Sequence, residues 1–357
     1  MSNINENNKA LNISFNQDDS CFSISTEKGF KIFDTNSLNK NYEKDLGGGL
    51  ILTEMYYKSN ILALISGGEH PKFDIKKLII WDVSLNKAIG ELNFFNFLKN
   101  VKMKKDKLFV INEKNIYVFD LKTLDNIEII NTSINPKGLF SINSEEKNDI
   151  IAYLAESNSK ENNKSNIIIK IKNYGNSSEF NIDIKEDMIS YISLNGPGNL
   201  VAIANDKGSE IKIYSSVNGE LLANFLRGKE KAEINYICFD KLSNYLAVTS
   251  DRGTIHIWSL KTIIQKLTSI NKDDKDNKDS NILTNEIKDL PENKKLIFSQ
   301  NEKSFAKIRL KPNKSICSFQ DNNIIVVITY QGKYYKALLD TKNGGDCQII
   351  MEKDLKI

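Results

Sequence analysis

The run Ala247-Val248-Thr249-Ser250-Asp251-Arg252-Gly253-Thr254-Ile255-His256-Ile257-Trp258-Ser259 reads as two short strands joined by a polar turn. Apolar and polar residues alternate on both sides of the turn, the period-two pattern of a strand with two unlike faces. Gly253 supplies the positive φ that a tight hairpin needs. The second half of this unit recurs at Lys31–Asp34, Leu78–Asp82, Ile116–Asp120, Ile167–Ile171, Ile211–Ser215 and Lys333–Lys336. With Phe33, Trp81, Phe119, Ile169, Tyr214, Trp258 and Tyr335 as markers, the spacings are 48, 38, 50, 45, 44 and 77 residues. The first five scatter around the ~40–45 residues of a four-stranded WD-type repeat. The first half also recurs, at Ser23–Gly29 and Val201–Gly208, and a further strand precedes it at Ile13–Asn16, Ile192–Asn195 and Ile237–Asp240. Three of the four strands per repeat are thus legible.

One such sheet cannot bury both of its faces; sheets stacked around an axis bury them on each other. Seven copies predict an all-β, WD40-like seven-bladed β-propeller, with residues 1–357 forming a single domain. The 77-residue spacing places an insertion at 268–300 in the sixth blade. Its charged stretch Asn271–Ser280 cannot pack and is expected to be disordered. The flank Ile282–Leu290 fits either a short amphipathic helix or a loop folded back on the blade. Whether the ring closes by sharing strands between the termini or with a self-contained last blade is open at this stage.

Composition narrows the function. Of the 357 residues 40% are hydrophobic and 27% charged, which excludes general disorder. A net charge of +3 gives no bulk argument for a nucleic-acid partner, so any anion site must be local. Cys21, Cys238, Cys317 and Cys347 have neither zinc-ligand spacing nor a short disulfide framework, and are read as reduced thiols of a cytosolic protein. The N-terminus has no signal-peptide core, and no apolar run approaches the ~20 residues of a membrane span. His70 and His256 are the only imidazoles, and the Walker A, HExxH, GxGxxG and GxSxG motifs are missing. The expectation is no enzyme, no catalytic residue, no metal and no cofactor. The lysines 99, 102, 104, 105 and 107 are expected on a solvated hairpin.

Pieces spread over the whole chain carry a resemblance: Leu11–Asp18, Gly48-Gly49, Ala63–Pro71, Lys77–Trp81, Gly90–Phe94, Val101–Met103, Asn135–Leu139, Ser304–Leu310 and Ser315–Phe319. In this order they resemble the PROPPIN (WIPI) family, seven-bladed propellers that bind phosphoinositides. The family's Phe/Leu-Arg-Arg-Gly motif corresponds here to Phe225-Leu226-Arg227-Gly228. Adjacent side chains of an extended segment point to opposite sides, so two neighbouring arginines serve two anion sites. Arginine suits phosphate because its planar fork donates in pairs.

The resemblance implies a phosphoinositide site at Arg227, Gly228, Ser250, Thr254 and His256. Thr254 and His256 share one face of a strand. The site on the other flank is expected to be weak. Leu226 stands where its arginine would be and Ile203 and Asn205 where hydroxyls are usual, leaving Gly208, Ser209 and Lys212. The function implied is a peripheral effector of phosphatidylinositol 3-phosphate or the 3,5-bisphosphate that recruits autophagy or endosomal partners. The alternative is a protein scaffold with decayed lipid sites. The implied partners are a phosphoinositide-containing membrane surface and a lipid-transfer or conjugation-machinery protein of autophagy, met through Ser66–Lys72 and the Pro136 region. No nucleic acid is expected, and the protein is read as a monomer. The expected location is cytoplasmic, on autophagosomal, endosomal or vacuolar membranes. Ile263, Ile264, Leu267, Ile282, Leu283, Ile287 and Leu290 of the insertion are the expected lipid-inserting side chains.

Overall fold

Every marker residue lies in the third strand of a four-stranded antiparallel motif. The computed structural model describes residues 9–147, 149–156, 167–184, 188–265, 300–321 and 323–357. Among them the sheets number seven, blades 1 to 7, spanning residues 12–45, 50–93, 98–131, 140–184, 189–226, 234–309 and 315–354. Each blade takes its four strands from one continuous stretch, in order from the axis outwards, so the expected propeller is the fold. Blades 5 and 6 each gain a fifth, parallel strand at the outer edge, Gln300–Glu302 and Gly345–Asp346 respectively. The insertion expected at 268–300 falls almost wholly outside the described residues.

Burial follows radial position. Second strands such as Leu200–Asn205 and Tyr245–Ser250 are buried along their whole length, because both faces meet a neighbouring blade. Outermost strands such as Lys40–Asp45 alternate between exposed and half-buried residues. Between blades 5 and 6 the core includes Ile211, Phe225, Val248 and Trp258. Phe225 stacks on Trp258 with centroids 5.4 Å apart, an arrangement that contributes about 0.5–1.5 kcal/mol beyond area burial.

Near the axis the first strands are tied by polar groups. Gln17 donates from Nε2 to the carbonyls of Met55 (2.7 Å) and Met103 (3.0 Å), linking blades 1, 2 and 3. Glu54 is buried and accepts from Lys102 Nζ at 2.8 Å. The lysine hairpin is therefore not solvated as expected. Lys104 is only 2% exposed, and with Lys105 and Lys107 it surrounds Asp149 at 3.2–3.5 Å. The carboxylates opposite these lysines come from other blades, which local sequence cannot reveal.

The ring closes with a self-contained last blade. Ile13, Phe22 and Phe33 of blade 1 pack against Ile316, Val326 and Tyr334 of blade 7. Tyr334 Oη donates to the Thr35 carbonyl at 2.7 Å, and Ser318 Oγ to Asp19 Oδ2 at 2.7 Å.

Candidate phosphoinositide site between blades 5 and 6

Blade 6 is built from Ile234–Phe239, Tyr245–Ser250, Thr254–Ser259 and, after the insertion, Ala306–Arg309. Its second and third strands meet in a turn at Gly253, where φ is +80° and a Cβ would lie 2.5 Å from the Lys311 carbonyl. The third strand pairs Thr254 with Arg309 and His256 with Lys307. Ile255, Ile257, Ala306 and Ile308 pack into the core shared with blade 7. By strand alternation, Thr254, His256, Lys307 and Arg309 take the opposite face, towards blade 5.

Arg227 approaches from blade 5. Phe225 turns to blade 6 to meet Trp258, so Leu226 turns away and Arg227 turns back to the same side. The Arg227 guanidinium donates to the carbonyls of Gly208 and Glu230, and its backbone N–H donates to the Ser209 carbonyl at 2.8 Å. Among the described residues it has no ion-pair partner. Burial lowers its pKa, with Asp251 opposing and Arg252 adding to the shift. Gly228 faces open space: an added Cβ would meet nothing within 4 Å.

His256 is 7% exposed, stacks against Trp258 at 5.7 Å, and its Nδ1 lies 3.2 Å from Ser304 Oγ. Its pKa falls to about 4, first through burial and then through the charges of Lys307, Arg227 and Arg309. One imidazole thus senses three cations from two blades, and a phosphate entering there would relieve their mutual repulsion. Ser250, expected in the turn, instead ends the second strand and is buried, with the Arg252 N–H 3.4 Å from its Oγ.

Three contributors escaped the sequence reading. Lys307 and Arg309 reach the site from the strand beyond the insertion, and Ser304 from the segment leading to it. The alternation Ala306-Lys307-Ile308-Arg309 carried a signal, but nothing local tells which blade that strand joins. The returning chain also crosses the site at Glu302, whose carbonyl accepts from Trp258 Nε1 at 3.2 Å. Arg309 Nε lies 3.1 and 3.2 Å from the two oxygens of Asp346, an exposed pair of small energetic weight.

The other flank is different. Ile184, Ile203, Asn205, Glu210 and Lys212 line a cleft between blades 4 and 5. Gly208 makes its turn at φ +62°, and Ser209 is bound locally through Asn205 Oδ1 and Nδ2 at 3.1 and 3.3 Å. Leu226 lies opposite Glu210 in the sheet. The cleft therefore holds a carboxylate beside the leucine that stands where the motif has an arginine.

A further expectation fails. Ile263 and Ile264 do not face outwards for lipid: residues 261–265 are helical, Ile263 is buried and Ile264 packs on the core between blades 5 and 6. Leu267, Ile282, Leu283, Ile287 and Leu290 lie outside the described residues. Among the described residues no helix is long and apolar enough to cross a membrane.

Fold and site together define a seven-bladed propeller whose sixth blade turns His256, Lys307 and Arg309 towards the blade that carries Arg227. The chain belongs to the PROPPIN family, whose model matches residues 10–356. It is 27% identical to autophagy-related protein 18 of Dictyostelium discoideum over 98% of this chain and 94% of that one. It is 32% identical to SVP1-like protein 2 of Saccharomyces cerevisiae over 71% of this chain, an alignment spanning 63% of the yeast protein's length. In structure it resembles Kluyveromyces lactis Hsv2, with TM-score 0.70, 19% identity, and coverage of 98% of this chain and 99% of the other. It also resembles KlAtg21 solved in complex with the coiled-coil of AgAtg16, with TM-score 0.74, 20% identity, and coverage of 97% and 99%.

Proposed function

We propose that the protein is a peripheral membrane effector that binds a 3-phosphorylated phosphoinositide at Arg227, Gly228, Ser250, Thr254 and His256, with Lys307 and Arg309 as further cations. The ligand is phosphatidylinositol 3-phosphate, with the 3,5-bisphosphate as the other candidate headgroup. The role is binding rather than catalysis, in keeping with the family. The observation that carries this reading is the shared strand face of Thr254, His256, Lys307 and Arg309, turned towards the blade that carries Arg227, with the charges of all three cations bearing on His256. Guanidinium and ammonium groups converging beside a hydroxyl and an imidazole suit the several oxygens of a phosphorylated ring. The bound protein would recruit a partner of the autophagy machinery, a reading supported by the coiled-coil complex of KlAtg21. The surface proposed for this includes 66–72, where Gly49 N donates to the His70 carbonyl at 2.7 Å and Glu69 N to Glu27 Oε2 at 3.0 Å. The membranes proposed are autophagosomal, endosomal or vacuolar, met from the cytoplasm.

The cleft between blades 4 and 5 is proposed as a weak second site built on Gly208, Ser209 and Lys212. A second reading, a scaffold with no lipid site, draws on two observations: Glu210 in that cleft, and the Arg227 guanidinium held by two backbone carbonyls. Cosedimentation with liposomes, with and without the 3-phosphorylated lipid, separates the readings. The effector reading expects capture only with that lipid and its loss in Arg227→Ala. Equal capture on both liposomes, or none, favours the scaffold.

A further inference from the structure

We propose that Cys238 and Cys317 form an oxidisable pair that closes to a disulfide across the interface of blades 6 and 7. Cys238 lies in Ile234–Phe239 and Cys317 in Ser315–Phe319, the first strands of adjacent blades. Both thiols are free, and their sulfurs lie 3.5 Å apart. The residues are 79 positions apart in sequence, which is why spacing gave no hint of a pair.

The interface holds them together. Cys317 is buried in the core shared by the two blades, and Cys238 packs on the same cluster. Thr249 of blade 6 donates from Oγ1 to the Ser315 carbonyl of blade 7 at 2.6 Å. A disulfide needs sulfurs at about 2.05 Å, a gap that side-chain rotation can close when the thiols already touch.

The oxidant is a peroxide. The Cys238 thiolate attacks one peroxide oxygen; an S–O bond forms, the O–O bond breaks, and hydroxide leaves to take up a proton as water. The Cys317 thiol then attacks the sulfenic sulfur of Cys238. The S–S bond forms and the S–O bond breaks, and the departing oxygen leaves as a second water, taking the Cys317 proton. Two thiols lose two electrons and one peroxide becomes two waters. Cys238 is the first to react because it is partly exposed while Cys317 is buried. The contact with Cys317 and burial push the Cys238 thiol up, so thiolate is scarce at neutral pH. The pair should respond to sustained peroxide rather than a brief pulse, and faster as pH rises.

The cross-link would enclose most of blade 6 and the insertion in one covalent loop. Constraining a loop of that length in the unfolded chain should raise Tm by about 3–5 °C in a chain of this size. The full chain is treated with hydrogen peroxide, denatured, alkylated and peptide-mapped beside a reduced control. The expected result is a peptide linking 238 to 317, cleaved by dithiothreitol, with a higher Tm in the oxidised protein. Cys317→Ser and Cys238→Ser should each lose the cross-link and the shift. Alkylation of both thiols after peroxide, oxidation of Cys238 to the sulfinic acid alone, or a cross-link to Cys347 instead would overturn the proposal.

Discussion

His256 carries charge information that its neighbours impose. Its pKa of about 4 in the folded chain lies below the ordinary 6.5, so between these values the unfolded state binds more protons. Stability attributable to this residue is complete above about pH 6.5 and is lost as pH falls towards 4. The size of the effect over that range is about 3 kcal/mol. In His256→Gln the urea midpoint should fall less between pH 7 and pH 5 than in the parent. Parallel pH profiles would show that the imidazole is not strained by burial and the three cations. On the proposed function, a bound phosphate would oppose those cations, so binding should take up protons at His256 and tighten on acidification. The pairing of Thr254 with His256 on one face was legible in the sequence, because period two is local. Lys307 and Arg309 were not, because the strand that carries them pairs with Thr254–Ser259 only after a long insertion in the sequence.

At the scale of elements, the fourth strand of blade 5 sets which flank of the proposed site receives an arginine. Alternation along Phe225-Leu226-Arg227 sends one cation to blade 6 and a leucine towards blade 4. The sequence disclosed that asymmetry, since it needs only the strand period. It did not disclose Glu210, which becomes relevant only when the sheet register sets it opposite Leu226. The two residues predict a repair. Leu226→Arg alone would spend its charge on Glu210, so Leu226→Arg with Glu210→Gln is the informative variant. Its liposome affinity should rise about tenfold, the worth of one charge-assisted contact. Unchanged affinity in the double variant would mean that the groove between blades 4 and 5 lacks the shape of a headgroup site. The same limit of local reading explains Ile263 and Ile264. Their apolar character was plain, but the core that buries them belongs half to another blade.

Among the described residues, the molecule is a ring whose last blade borrows no strand from its first. The repeats were enough to count the blades, because each copy announces its own third strand. They could not fix closure, which depends on contacts between residues some 300 positions apart. Tyr334 is the clearest of these, donating from a buried hydroxyl to the Thr35 carbonyl. Tyr334→Phe should cost about 1–2 kcal/mol, read as a lower urea midpoint, because the carbonyl loses its partner without a change of shape. An unmoved midpoint would mean that apolar packing alone closes the ring.

The most direct test of the account compares two arginines. Arg252 lies in the turn before Gly253, its charge bears on Arg227, and it bonds the Lys231 carbonyl from Nε and the guanidinium end at 3.2 and 2.9 Å, so it controls for loss of surface charge. Affinity for vesicles carrying phosphatidylinositol 3-phosphate is measured for the parent, Arg227→Ala and Arg252→Ala. The account predicts a loss of about ten- to a hundredfold for the first substitution and less than about threefold for the second. Equal affinities for all three proteins, or equal losses in both variants, would contradict it.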